Sequence, residues 1–293
     1  MNPPFHKYHA LGNDYLVLEP GAVPELSPAR IRLLCDRHFG IGSDGILLGP
    51  LPAPAPAPAA VPAFAVRIFN PDGSEAEKSG NGLRIFARHL FDTGRVATAP
   101  FLVHTAGGWT RGQLLENGRA VRVEMGRASF TSRDIPLLEA APEALDETVT
   151  VAGETVRFTG VTVGNPHCIV RNRPATADTA HRLGPLLETH PRFPHRTNVQ
   201  FLEVLDRHAI RIEIWERGAG YTLASGSSAS ACAAAAVRLG LCASPVTVKM
   251  PGGDLHVDVA ADFAITQTGP VCAVAQGTLA PDLWHRLEEE KLT

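Results

Sequence analysis

The feature that most constrains how this 293-residue chain can fold is that it contains one plan twice. Residues 67–90, RIFNPDGSEAEKSGNGLRIFARHL, and residues 211–240, RIEIWERGAGYTLASGSSASACAAAAVRLG, each read as a strand, a Gly-containing turn with acidic residues, a Ser-Gly-polar element and a helix. Ser79 and Ser225 open the two Ser-Gly elements and stand about half the chain apart, the spacing that duplication of a domain produces. The expectation is two pseudo-equivalent halves, and a chain of this length with 44% hydrophobic residues can give each its own core. After Ser79, the residues Leu83, Phe86, Ala87 and Leu90 fall on one helical stripe, and the Ala-rich run after Ser230 has very high helix propensity. Elsewhere AVRVEMG, TVTVAG, VRFTGVTVG and VTVKM alternate with turn residues, which predicts β-structure outside these helices.

A net charge of −3 with acidic and basic residues intermixed gives no general attraction to nucleic acid or an anionic membrane, so small molecules are the expected partners. The N-terminal MNPPFHKYHALGND lacks a basic segment followed by an apolar one, and no later stretch is long and apolar enough to span a bilayer. A soluble, cytoplasmic protein is expected, with a homodimer as the default assembly. Five cysteines without a C-x-x-C pair suit reduced thiols rather than disulfides or a zinc site, and no metal is indicated. Cys232, inside the Ala-rich run, reads as a buried small apolar residue. The one low-complexity piece, LPAPAPAPAAVPA from Leu51 to Ala63, is biased to extended polyproline geometry and should be an exposed connector. The flanking GILLGP and FAVRIFN would then pair as a hairpin with an unusually long turn.

A Ser-Gly-Asn-Gly or Ser-Gly-Ser-Ser sequence at a helix start presents backbone N–H groups and the positive end of the helix dipole, which together favour an anion. Two such sites facing one carboxylate would hold its α-carbon between the two serines. That geometry suits removal of an α-proton on one face and its return on the other, with backbone donors stabilising the charge that builds on the carboxylate. Either motif alone is explained by ordinary capping. The same polar order in both places is less easily explained that way, although a duplicated scaffold could preserve it.

The segments FHKYHALGNDYLVLE, CDRHFGIGSDG, FNPDGSEAEKSGNGLRIFARHL, GNPHCIV, TNVQF and WERGAGYTLASGSS resemble, in order and across nearly the whole chain, the successive motifs of the diaminopimelate epimerase family. The resemblance implies an α/β (α+β) fold of two pseudo-symmetric domains, each a mostly antiparallel sheet around a central helix, with the active site in the cleft between them. The halves would be residues 1–127, joined by the returning tail 277–293, and residues 128–276. It also implies stereoinversion of LL- to meso-diaminopimelate, or of a related amino acid, with no pyridoxal phosphate or metal. By position the family's two catalytic thiols fall on Ser79 and Ser225, and its carboxylate clamp falls on Gly80 and Asn81 and on Gly226 and Ser227. Its distal contacts fall on Asn13, Asn70, Asn165, Asn198, Glu216 and Arg217, and His167 and Glu216 match polar residues beside the catalytic pair. Read without the family, Asn165 before a proline makes a turn, Arg217 is a surface charge and His167 is a hydrogen-bonded strand-end histidine.

The chain departs from the family where the chemistry is. A thiol near pKa ~8.5 is brought towards neutrality at a helix N-terminus, whereas a serine hydroxyl needs a neighbour to take its proton. Lys78-Ser79-Gly80-Asn81 stands where the family has a Met-Cys-Gly-Asn-like element, and Ala224-Ser225-Gly226-Ser227-Ser228 stands where it has Ala-Cys-Gly-Thr-Gly. Gly45 replaces a common glutamine, and Tyr221 a usual glutamate. Changes around both serines fit a natural lineage better than two replacements made to trap a substrate. Three readings follow: an activated serine with His167 or Glu216 as the base, a changed α-proton chemistry such as dehydration, isomerisation or another racemisation, or an amino-acid-binding protein without catalysis.

Overall fold

The computed structural model describes residues 4–21, 25–139 and 141–290. The chain divides into two compact units, Met1–Val123 with Gly269–Thr293, and Glu124–Thr268. In order the first unit contains β1 (Pro4–Ala10), β2 (Asn13–Leu18), α1 (Pro28–Cys35), β3 (Ile46–Pro52), β4 (Ala63–Phe69), β5 (Glu75–Ala76), α2 (Gly80–Asp92), β6 (Phe101–Thr105), β7 (Gly108–Leu115) and the first half of β8 (Ala120–Arg127). The second follows with β9 (Glu147–Val151), β10 (Glu154–Thr162), β11 (Pro166–Val170), α3 (Ala177–Glu188), β12 (Asn198–Asp206), β13 (Ala209–Glu216), β14 (Gly220–Thr222), α4 (Gly226–Arg238), β15 (Val246–Met250), β16 (Gly253–Val259) and β17 (Ala264–Pro270). The chain then returns to the first unit through β18 (Cys272–Thr278) and α5 (Pro281–Glu289).

The duplication read from two segments extends to the pairing of every strand. In the first unit β1 and β2 are antiparallel, β2 and β3 parallel, β3 and β4 antiparallel, β4 and β6 parallel, and β6–β7–β8 antiparallel, with short β5 on β4. The second unit repeats the series: β10 and β11 antiparallel, β11 and β12 parallel, β12 and β13 antiparallel, β13 and β15 parallel, β15–β16–β17 antiparallel, with β14 on β13. One further strand completes each unit, β18 on β1 and β9 on β10. Each parallel junction requires a crossover, and helices supply it at matching places: α1 and α3 after the second strand, α2 and α4 after the short fifth.

Helices α2 and α4 have the same length, 13 residues, and both begin one residue after a Ser-Gly serine. The expected stripe of Leu83, Phe86, Ala87 and Leu90 is buried, but Arg84, Ile85 and His89 are buried as well. The sheet therefore wraps the helix rather than packing on one face. In α4 the same position is met with small side chains: Ala229, Ala231 and Ala233–Ala236 are all completely buried, as is Cys232. On the other side of the second unit's strands, α3 contributes Ala180, Leu183 and Leu187 to a separate core with Val156, Phe158, Val170 and Phe201.

The hairpin across the proline-rich piece forms, with Ile46 opposite Phe69 and Pro52 opposite Phe64. The strands reach further into that piece than the composition suggests: Leu51 and Pro52 belong to β3 and Ala63 to β4, so the connector is residues 53–62, partly to fully exposed. Pro52, at the end of its strand, costs the ladder little.

Candidate functional site

Each unit carries candidate residues at the start of its central helix. In the first, Ser79 is the N-cap of α2, in extended backbone geometry (φ −136°, ψ 119°), and its Oγ accepts the Gly82 N–H at 3.0 Å. The capping interpretation is thus correct for this serine. The cap uses the Gly82 amide, whereas the amides of Gly80 and Asn81 precede any intrahelical acceptor. The Asn81 side chain is buried and fixed from both ends: its Nδ2 donates to Asn13 Oδ1 at 3.0 Å, and its Oδ1 accepts from Arg84 at 2.6 Å. Arg84 also donates to the Gly80 carbonyl at 3.3 Å, and burial pushes its guanidinium down to about 9.

Asn13 in turn donates to Asp44 Oδ2 at 3.0 Å. Behind it, Asp14 and Asp44 share Arg37, at 2.7 Å from each, and Lys7 reaches Asp14 at 2.9 Å. Burial alone would raise the Asp14 carboxyl, but hydrogen bonds from Arg37, Lys7 and Asp44 outweigh it and hold the group at about 2. Asn70 lies at a turn after β4, its backbone and side chain both donating to Ser74, at 2.8 and 3.0 Å. Tyr15, absent from the sequence-derived set, places its hydroxyl 3.3 Å from Ser79 Oγ.

The second unit repeats the cap. Ser225 is the N-cap of α4 (φ −144°, ψ 122°), its Oγ accepts the Ser228 N–H at 3.4 Å, and Ser227 Oγ lies 3.3 Å from it. Ser228 is completely buried and its hydroxyl accepts from Gln200 at 3.0 Å, so the first turn of α4 is tied to β12. Gln200 and Ser228 are further residues that sequence reasoning missed. Gln200 sits in the TNVQF segment, where its burial on a strand marks it only once the fold is known.

His167 is completely buried on β11, opposite Asn198, with Nε2 3.0 Å from Asn165 Oδ1. Burial pushes it down to about 3, the Gln200 amide opposing and the Arg217 charge adding to the shift, so the ring is neutral at pH 7. Asn198 clips two backbones together, donating to the Pro166 carbonyl at 2.9 Å and accepting the Arg217 N–H at 3.0 Å. Arg217 is exposed and its guanidinium donates to the His195 carbonyl at 3.1 Å. Glu216, at the end of β13, is half-buried, and the turn after it is locked by Glu188, which accepts from Trp215 Nε1 and Gly218 N–H, each at 2.8 Å. Thus Asn165, His167, Asn198 and Arg217 form one connected set, while Asn13 pairs with Asn81 and Ser79 with Tyr15.

Of the five cysteines four are buried, and Cys272 is exposed on β18. Cys35, Cys168, Cys232 and Cys242 are buried and burial pushes each thiol up, away from the thiolate. Among the described residues no group of three His, Cys, Asp or Glu could hold a metal ion, and no helix is long and apolar enough to cross a membrane.

The family model for diaminopimelate epimerase matches residues 5–131 and 159–274. Diaminopimelate epimerase 2 of Nostoc sp. is 52% identical over 281 residues, 96% of each chain. Diaminopimelate epimerase of Moorella thermoacetica is 40% identical over 288 residues, 95% of this chain and 99% of that one. Among solved structures, a hydroxyproline epimerase from Agrobacterium vitis superposes with a TM-score of 0.67 at 17% identity, over 98% of this chain and 97% of that one. A methylitaconate-delta-isomerase does so with a TM-score of 0.61 at 12% identity, over 95% of both. The fold is thus shared with proteins of several names, whereas the family model and the near-full-length relatives give one answer: this chain belongs to the diaminopimelate epimerase family.

Proposed function

We propose that the protein is an amino-acid epimerase that inverts an α-carbon of LL-diaminopimelate to give the meso form, or acts likewise on a related amino acid, by two-base proton transfer without a cofactor. The observation that carries this reading is the matched pair of serine-capped helix starts in a chain of this family. In this reading Ser79 and Ser225 stand at the two faces of the α-carbon. The amides of Gly80, Asn81, Gly226 and Ser227 hold the carboxylate and stabilise the enediolate charge, an effect whose removal typically costs 100-fold or more, ~3 kcal/mol for one donor. Asn13, Asn70, Asn165, Asn198, Glu216 and Arg217 grip the distal ammonium and carboxylate. His167 and Glu216 set the proton balance beside the serines.

In heavy water the enzyme is expected to wash deuterium into the α-position of LL- or meso-diaminopimelate. Absence of exchange with every diamino acid tried would sink the reading. The serines themselves favour a second reading, elimination or isomerisation on the same clamp, which would release an unsaturated or keto product instead. Replacing both Ser79 and Ser225 with cysteine is expected to raise exchange, because a thiol ionises far more readily than an alcohol at the same helix start.

A further inference from the structure

The weak point of serine as a proton carrier is that nothing in the hydroxyl itself makes it acidic, so the surroundings of each oxygen matter. Among the described residues Ser79 Oγ has two hydrogen-bond partners, the Gly82 N–H at 3.0 Å and the Tyr15 hydroxyl at 3.3 Å. An amide can only donate. A serine hydroxyl has one proton and two lone pairs, and Gly82 takes one lone pair. If Ser79 also gave its proton to Tyr15, it would have none to deliver to carbon. If Tyr15 donates instead, both lone pairs are engaged and the serine proton is the one directed away from its protein partners.

The position of the phenol is built into the strand pair. Tyr15 is buried on β2, and the parallel register that sets Leu16 opposite Ile46 brings Gly45 beside it. A Cβ at Gly45 would lie 2.5 Å from Tyr15 Cε1 and 2.5 Å from the Phe69 carbonyl oxygen, so only glycine leaves room for the ring in this place. The duplication singles out the same strand position. Gly12-Asn13-Asp14-Tyr15 enters β2 as Gly164-Asn165-Pro166-His167 enters β11, and each half carries a titratable ring there, a phenol in one and a neutral imidazole in the other.

On the epimerase reading given above, we infer that Tyr15 supplies the proton that Ser79 delivers to the α-carbon. The Ser79 O–H bond breaks as the Cα–H bond forms on the planar carbanion, and the Tyr15 O–H bond breaks as the serine O–H is restored. The carbanion's electron pair becomes the Cα–H bond, and the pair of the broken Tyr15 O–H bond stays on oxygen as a phenolate, which solvent reprotonates between turnovers. In the reverse direction the phenolate draws the α-proton out through Ser79. Tyr15 therefore acts through Ser79 and does not itself touch the substrate.

The test is a cycle in the full-length protein: wild type, Tyr15→Phe, Ser79→Cys and the double variant, each assayed for deuterium wash-in and for kcat and KM with diaminopimelate. Tyr15→Phe is expected to lower kcat at least about 100-fold, the usual scale of a general acid, with KM changed by no more than about threefold. In the Ser79→Cys background the same change is expected to cost little, because a thiol carries its own ionisable proton. The alkaline limb of the wild-type pH–rate profile should be lost in Tyr15→Phe, whereas the double variant should show one set by the thiol. Equal losses in the two backgrounds, or an unchanged kcat in Tyr15→Phe, would overturn the relay and leave the epimerase reading standing. A wild-type protein that exchanges no α-proton would instead remove that reading, and the relay with it.

Discussion

At the scale of single residues, the site shows how much of a side chain's character comes from what lies behind it. Asp14 touches neither serine, yet it anchors Asp44 and through it Asn13 and Asn81. Its depressed acidity carries a sign: the folded group binds fewer protons than the unfolded one, so its stabilisation is complete above the unfolded value near pH 4 and is lost as pH falls through about 2. With a side chain only 12% exposed, the shift corresponds to about 2 kcal/mol at neutral pH. Asp14→Asn should therefore lower stability by that order in urea unfolding at pH 7, and the difference from wild type should shrink at pH 3. The GND motif drew attention to Asn13 in the sequence, but the carboxylate next to it gave no signal, because its partners Arg37 and Lys7 are brought to it by the β1–β2 turn and the loop after α1.

At the scale of elements, the two central helices answer one packing problem with different residues. A helix enclosed by a wrapped sheet has no solvent face, so α2 engages the terminal nitrogens of its buried Arg84 guanidinium with its own first turn, while α4 avoids the problem with alanine and serine. Ala234→Leu should destabilise the second unit by about 1–3 kcal/mol, since methylenes added to a filled core force neighbours off their rotamers, and thermal unfolding would show it. The sequence made the repeat, the capping serines and the apolar stripe of α2 legible because all three are local patterns. It did not reveal that Arg84 and His89 are buried, since helical periodicity assumes a polar face and these residues occupy it. Nor did it reveal Tyr15, which is separated by 64 positions from the serine it meets and owes that contact to an absent side chain at Gly45.

At the scale of the whole molecule, the chain order and the spatial order of the units differ, because the last 25 residues belong with the first unit. Strand β18 pairs with β1 from Pro4 to His9, and α5 closes a core in which Leu279 and Leu287 pack with Leu16, Leu18, Ile31, Leu34 and Phe69. Arg30 on α1 fastens the helix from below, donating to the Leu287 carbonyl at 2.7 Å. Those apolar residues stand on β2, α1 and β4, two of which lead directly into the Tyr15 and Asn70 positions of the site. A chain ending at Thr278 would keep β18 but uncover that core, and the loss of a single buried leucine already costs about 2–5 kcal/mol. Amide hydrogen exchange of the truncated protein should then show β2 and α1 opening at least tenfold faster than in the full chain, with β12 and β13 of the second unit unchanged, since 1.4 kcal/mol suffices for a factor of ten. Uniform loss of protection across both units would mean that they unfold as one body and that the tail stabilises the whole. Protection retained in both would mean that the α5 contacts contribute little to the first unit's core.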